Sequence, residues 1–113
     1  MEITTGEVNG VTVLHIAGSL TADTVTDLRR QIEALQASKR HRVVFNLDKV
    51  NMIDSSGLGA IVFTVKRCRA VGGDVKVAAA HGHVADVFYL VGFHKAIEMC
   101  PTADDAVSRF QKR

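Results

Sequence analysis

The sequence predicts an α/β domain in which a mixed sheet of about five strands is packed by four helices, in the order β-β-α-β-α-β-α-β-α. Short runs rich in Val, Ile and Leu alternate with stretches whose apolar residues recur every three or four positions. That alternation builds parallel strands through helical crossovers, with helices lying against the sheet. The first two runs instead flank Asn9-Gly10, a dipeptide suited to the positive φ angles of a tight hairpin turn, so the fold opens antiparallel. No Ser/Gly/Pro-rich linker and no internal repeat interrupts the 113 residues. This length supports a single core and therefore one domain over 1–113.

In order, Ile3 to Glu7 and Val11 to Ala17 read as the two hairpin strands. Gly18-Ser19-Leu20-Thr21 leads to a helix from about Thr24, with Asp23 as its N-cap and Val25, Leu28, Ile32 and Leu35 on one face. Arg42 to Leu47 is an apolar run suited to a buried parallel strand, and a loop through Asp48 and Asn51 should follow. The spacing of Leu58, Ile61, Val62, Val65 and Cys68 predicts a helix starting near Gly57 and burying that stripe. Gly72-Gly73 stops it, and Val75, Val77 and Ala79 open the next strand. After Gly82-His83 comes a short helix, closed by Gly92, with Val84, Val87, Phe88 and Val91 turned inward. Ala96 to Met99 is a brief last strand. Pro101-Thr102 then starts a terminal helix through Phe110, with Thr102 and Asp105 in an approximate capping box and Ala106, Val107 and Phe110 facing the core.

Composition narrows the function classes. A net charge of +2 is far from the dense basic face of a nucleic-acid binder, and Lys39-Arg40-His41-Arg42 reads as a solvated entry to a strand. Two cysteines, Cys68 and Cys100, have no metal-ligand or redox spacing and are too few to staple a secreted domain. Met1 to Thr5 lacks the basic start and apolar run of a signal peptide, and no segment is apolar enough to span a bilayer, so a cytoplasmic chain without a membrane partner is expected.

The enzymatic motifs fail on their own terms. Gly57-x-Gly59 follows a strand, but Val62 stands where a dinucleotide fingerprint needs a third glycine. There is no phosphate-cradling Gly-Lys-Ser/Thr loop. Ser56 lacks a nucleophile elbow, because Asp54 and Leu58 occupy the two glycine positions. His81, His83, His94 and Cys100 read as surface and structural residues rather than a metal set, and His15 as a structural residue of a strand. No enzyme, cofactor or metal is expected. Lys66, Arg67 and Arg69 read either as a solvated helix face or as a rim for a partner.

The stretch Asp54-Ser55-Ser56-Gly57-Leu58-Gly59 carries more chemistry than folding needs. Its serines fall at a helix N-terminus, where one hydroxyl can satisfy a free amide and so cap the helix. The second serine is left over in the positive field of the helix start, where phosphate is tolerated. The residues alone support capping and regulation equally.

Gly18-Ser19-Leu20-Thr21, Phe45-Asn46-Leu47, Ile53 through Gly59, Gly72-Gly73 and Val87 through Phe93 together resemble the STAS domain family, and within it the bacterial anti-sigma-factor antagonists. The resemblance covers nearly the whole chain in the family's order. It implies a STAS-like single domain acting as a protein-binding switch, with an anti-sigma factor of the serine protein kinase type as partner. Binding would free a sigma factor; phosphorylation of Ser56 would end it, and a phosphoserine phosphatase would restore it. The implied partner-binding residues are Thr21, Asp23, Asp54, Ser55, Ser56, Gly57, Leu58 and Gly59. Asp54 and Ser55 would shape the loop, and the two glycines would let the partner's backbone approach. Thr21 departs from the acidic residue common there in the family. The alternative is a STAS scaffold or subunit without a sigma factor, such as a stressosome component or the soluble partner of a lipid-handling ABC transporter. Self-association is compatible with the sequence but is not predicted.

Overall fold

The computed structural model describes residues 1–111. Five strands lie in the spatial order of their sequence: β1 (Glu2–Val8), β2 (Val11–Leu20), β3 (Arg42–Ile53), β4 (Asp74–Ala78) and β5 (Glu98–Cys100). β1 and β2 pair antiparallel, and the remaining neighbours are parallel. Asn9 and Gly10 take φ of 52° and 80° in the hairpin turn, as the dipeptide requires. The helices are α1 (Val25–Ala37), α2 (Ser55–Ala70), α3 (Gly82–Leu90) and α4 (Ala103–Gln111), with a 3₁₀ turn at Phe93–Lys95.

Helices α1, α2 and α3 share one face of the sheet. Val25, Leu28, Ile32 and Leu35 of α1, Ala60, Ile61, Val65 and Cys68 of α2, and Val84 and Phe88 of α3 form a single core with Leu14, Phe45, Leu47 and Val77 of the strands. Helix α4 covers the opposite face, where Ala106, Val107 and Phe110 pack on Val11, Val13, Val44, Ala78 and Cys100. The Thr102 hydroxyl accepts from the Asp105 amide at 3.1 Å, so the expected cap of α4 is in place.

Several expected boundaries move. The strand expected to end at Leu47 continues to Ile53, so Asp48 and Asn51 are strand residues, not loop. Val50 and Ile53 remain buried along that extension while Asp48, Lys49, Asn51 and Met52 face solvent. Register shifts between His15 and Ala17 and between Gly18 and Ser19 break the two-residue alternation that would have revealed it. Ala79 falls outside β4 with φ of 60°, and β5 starts at Glu98 rather than Ala96. Val91 lies beyond the end of α3 and is half exposed, not inward. Val62 and Leu58 are half-buried on the flank of α2, and Ala60 and Thr64 take the central inward positions.

Candidate functional site

The longer β2 and β3 determine where the site sits. Leu20 pairs with Ile53 at the carboxyl ends of both strands, which brings the β2–α1 loop beside the start of α2. This is the sheet edge where parallel α/β domains carry their functional loops.

Helix α2 begins at Ser55, and its N-cap is Asp54, not a serine. One Asp54 oxygen, Oδ1, accepts from the amides of Ser56 at 2.9 Å and Gly57 at 3.1 Å. The other, Oδ2, accepts from the Ala22 amide at 3.0 Å, across the gap to the β2–α1 loop. The Asp54 amide donates in turn to the Leu20 carbonyl at 3.2 Å. Hydrogen bonds from the amides of Ala22, Gly57 and Ser56 hold the Asp54 carboxyl below the ordinary carboxylate range, since each favours the charged form.

This geometry corrects the expectation that a serine caps the helix: the Asp54 carboxylate does so, in the positive field of the helix start. Both serine hydroxyls are released from capping: Ser55 is exposed and Ser56 half-buried at the rim of the turn.

The two glycines separate in role. A Cβ on Gly57 would stand 2.5 Å from the Leu20 carbonyl oxygen, 2.8 Å from Leu20 Cγ and 2.9 Å from Ile53 Cγ1. Gly57 is buried, and its bare backbone serves internal packing of α2 against β2 and β3. Gly59 is exposed and a Cβ there would meet nothing within 4 Å, which leaves it on the outward surface.

On the neighbouring loop, Asp23 was expected to cap α1. The N-cap position falls instead to Thr24, whose hydroxyl is engaged elsewhere, accepting from the Thr21 amide at 3.0 Å and donating to the Ser19 carbonyl at 2.8 Å. Asp23 is exposed and Thr21 half-buried, both on the loop that Asp54 reaches. The structure thus brings together Thr21, Asp23, Asp54, Ser55, Ser56 and Gly59. Ala22 joins them through its amide and Leu20 through its carbonyl, backbone bonds that no side-chain pattern signals. Met52, 51% exposed at the end of β3, is an apolar member of this edge that periodicity also missed.

Among the described residues, no group of three or more His, Cys, Asp or Glu side chains could hold a metal ion. His81 bonds the Asp48 carbonyl at 2.7 Å, and His15 the Asn46 side chain at 2.9 Å. No helix among those residues is long and apolar enough to cross a membrane.

A five-stranded mixed sheet whose carboxyl edge presents an Asp-capped helix with two unengaged serines defines a class of small α/β domains that expose a hydroxyl-bearing turn. The STAS domain family profile matches residues 2–106, and the chain belongs to that family. It is 23% identical over 111 residues to BtrV of Bordetella bronchiseptica, a protein assigned as an anti-sigma factor antagonist, covering 98% of this chain and 96% of that one. The anti-sigma factor antagonist SpoIIAA of Bacillus shares the fold in both solved states. The unphosphorylated form has a TM-score of 0.80 at 19% identity and covers 99% of this chain and 100% of that one. The phosphorylated form has a TM-score of 0.77 at 21% identity, with coverage of 96% and 99%. The murine anion transporter Slc26a9 contains the same fold, with a TM-score of 0.76 at 18% identity over 94% of this chain but only 18% of the transporter.

Proposed function

We propose that the chain is an anti-sigma factor antagonist: a cytoplasmic, single-domain protein-binding switch, without enzymatic activity of its own. It sequesters an anti-sigma factor of the serine protein kinase type and so releases a sigma factor. Phosphorylation of Ser56 by that kinase ends binding, and a phosphoserine phosphatase restores it. The observation that carries this reading is that Asp54 alone caps α2, so the Ser56 hydroxyl at the rim is not needed by the fold. The names of BtrV and SpoIIAA, and the existence of SpoIIAA in a phosphorylated form, support it.

The docking surface comprises Thr21, Asp23, Ser55, Ser56 and Gly59, flanked by Leu58. A phosphate on Ser56 adds about −1.5 to −2 charges. Pressed against a surface fitted to a neutral hydroxyl, that charge costs several kcal/mol of desolvation and repulsion. Because about 1.4 kcal/mol is tenfold in affinity, the partner is released by roughly two orders of magnitude or more.

The test is calorimetric titration of the cognate kinase subunit with wild type, Ser56→Ala and Ser56→Asp, with phosphopeptide mapping after incubation with ATP. Ser56→Ala should bind and resist modification, and Ser56→Asp should lose binding while remaining folded. Equal affinity of wild type and Ser56→Asp refutes the charge mechanism. The second reading, a STAS subunit of a transporter or scaffold, is favoured by the occurrence of this fold within Slc26a9. Co-purification of a transporter ATPase instead of a kinase would select it.

A further inference from the structure

Resting on the docking surface just described, we infer that Asp54 is a positioning residue that fastens the β2–α1 loop to the serine turn. Thr21, Asp23, Ser55 and Ser56 then meet a partner as one rigid surface, not as two independent loops.

The two carboxylate oxygens divide the work. An N-cap needs one acceptor, and Oδ1 supplies it to the Ser56 and Gly57 amides. Oδ2 reaches Ala22, 32 positions earlier in the chain, and contributes nothing to the helix. The loop makes its own internal shape: Thr24 and Val25 amides donate to the Thr21 carbonyl at 3.0 and 2.8 Å, and the Thr24 hydroxyl braces Thr21 and Ser19. Those bonds tie the loop to itself and to the end of β2, and the Leu20–Ile53 pairing brings that strand end beside α2. The direct bonds between the loop side and the serine turn are the Ala22 amide to Oδ2 and the Asp54 amide to the Leu20 carbonyl, both centred on one residue. Holding two recognition segments in register before binding removes an ordering cost from association.

Two substitutions break the same bond from opposite ends. Asp54→Asn keeps an oxygen for the cap, since Asn caps helices as well as Asp does, but turns an NH₂ toward the Ala22 N–H, donor against donor. Ala22→Pro deletes the donor and leaves Asp54 intact. Ala22 follows Thr21 in a turn closed from Thr24, the position where proline's fixed φ is accommodated.

Backbone amide exchange and ¹⁵N relaxation on the full chain give the partner-free measurement. In Asp54→Asn the Ala22 amide should exchange on the order of tenfold faster, as expected for loss of a charge-assisted bond. Residues 21–23 should gain motion in Asp54→Asn, and residues 21 and 23 in Ala22→Pro, whose proline has no N–H to report, while the Thr24 and Val25 amides hold and Asp54→Asn still melts as a cooperatively folded protein. Unchanged Ala22 exchange in Asp54→Asn overturns the inference. Against the kinase subunit, each single variant should weaken binding about tenfold and the double variant no more than either alone. Additive losses also overturn it. Failure of the docking reading shows differently, as absence of binding by wild type, and the exchange comparison then still decides whether Asp54 holds the loop.

Discussion

Gly57 and Gly59 lie two residues apart in the first turns of α2, and alanine should act on them with opposite sign. Replacing glycine by alanine within a helix gains about 1 kcal/mol when the methyl meets open space. At Gly59 it does, since nothing lies within 4 Å of the added carbon. Gly59→Ala should therefore stabilise by roughly 0.5–1 kcal/mol. At Gly57 the methyl would sit 2.5 Å from a backbone oxygen, that of Leu20, which cannot rotate aside as a side chain would. The same oxygen accepts the Asp54 amide at 3.2 Å, so displacing it disturbs the bond that seats the cap. Overpacking of this kind costs about 3 kcal/mol, and the helix preference offsets about 1, leaving a net loss of about 2 kcal/mol. For a chain of this size that is a fall in Tm of roughly 8 °C, against a rise of roughly 3 °C for Gly59→Ala. Urea and thermal unfolding of both variants make the comparison. A Gly57→Ala protein as stable as wild type, or two shifts of the same sign, would refute the packing argument.

Two further outcomes follow from the cluster under α4 and from the thiols. Lys76, 7% exposed, pairs with Glu98 at 2.7 Å and lies over the Phe110 ring at 4.5 Å, while Arg109 takes the second Glu98 oxygen at 2.7 Å. Glu98→Gln strands the lysine charge and should cost about 1 kcal/mol, discounted because Glu98 is half in solvent. Lys76→Met keeps the stem packing and leaves Glu98 to Arg109, so it should be near neutral. Hydrogen bonds from Lys76 and then Arg109 hold the Glu98 carboxyl below its ordinary 4.5, so the unfolded chain binds more protons than the folded one in acid. The stability this linkage supplies is full above about pH 4.5 and declines as pH falls through the lowered value, and denaturant melts across pH 3–6 should show Glu98→Gln with a shallower acid limb. Burial pushes the Cys68 thiol up to about 11, and Cys100 is also buried and shifted upward by burial. Both should resist a thiol reagent at neutral pH and react at the rate of global unfolding, whereas fast labelling of either in native protein contradicts the core packing.

Much of this architecture is legible because its elements repeat one period cleanly. The α1 stripe and the α4 contacts follow helical spacing, and Asn9-Gly10 has one conformational use. The second half of β3 is hidden because two register shifts in β2 replace its alternation by a buried residue every third position. The cap of α2 is hidden for a different reason. Asp54, Ser55 and Ser56 are all competent N-caps, and only the position of the Leu20–Ile53 pair, a tertiary fact, decides which of them stands at the boundary. Ala22 is invisible to any side-chain argument because it acts through its amide.

That one-residue choice sets the orientation of everything after it. Successive helical residues turn by about 100°, so starting the helix at Ser55 puts Gly57, Ala60 and Ile61 against the sheet and leaves Ser55 and Gly59 outward, with Ser56 at the rim. A start one residue later would rotate the glycine out and Leu58 in, and a start one residue earlier would bring in Ser56, where the 2.5 Å approach to the Leu20 oxygen leaves no room for a side chain. The glycine that fits only at position 57 thus locks the phase that exposes the hydroxyls. It also explains how a phosphate on Ser56 could change binding without changing the fold. The Ser56 and Gly57 amides are already held by Asp54, so the phosphate has no helix bond to displace, and like-charge repulsion with that carboxylate through water costs about 1 kcal/mol. A domain stable by about 5–15 kcal/mol tolerates that, whereas a partner closed over the same turn removes the water that makes it tolerable.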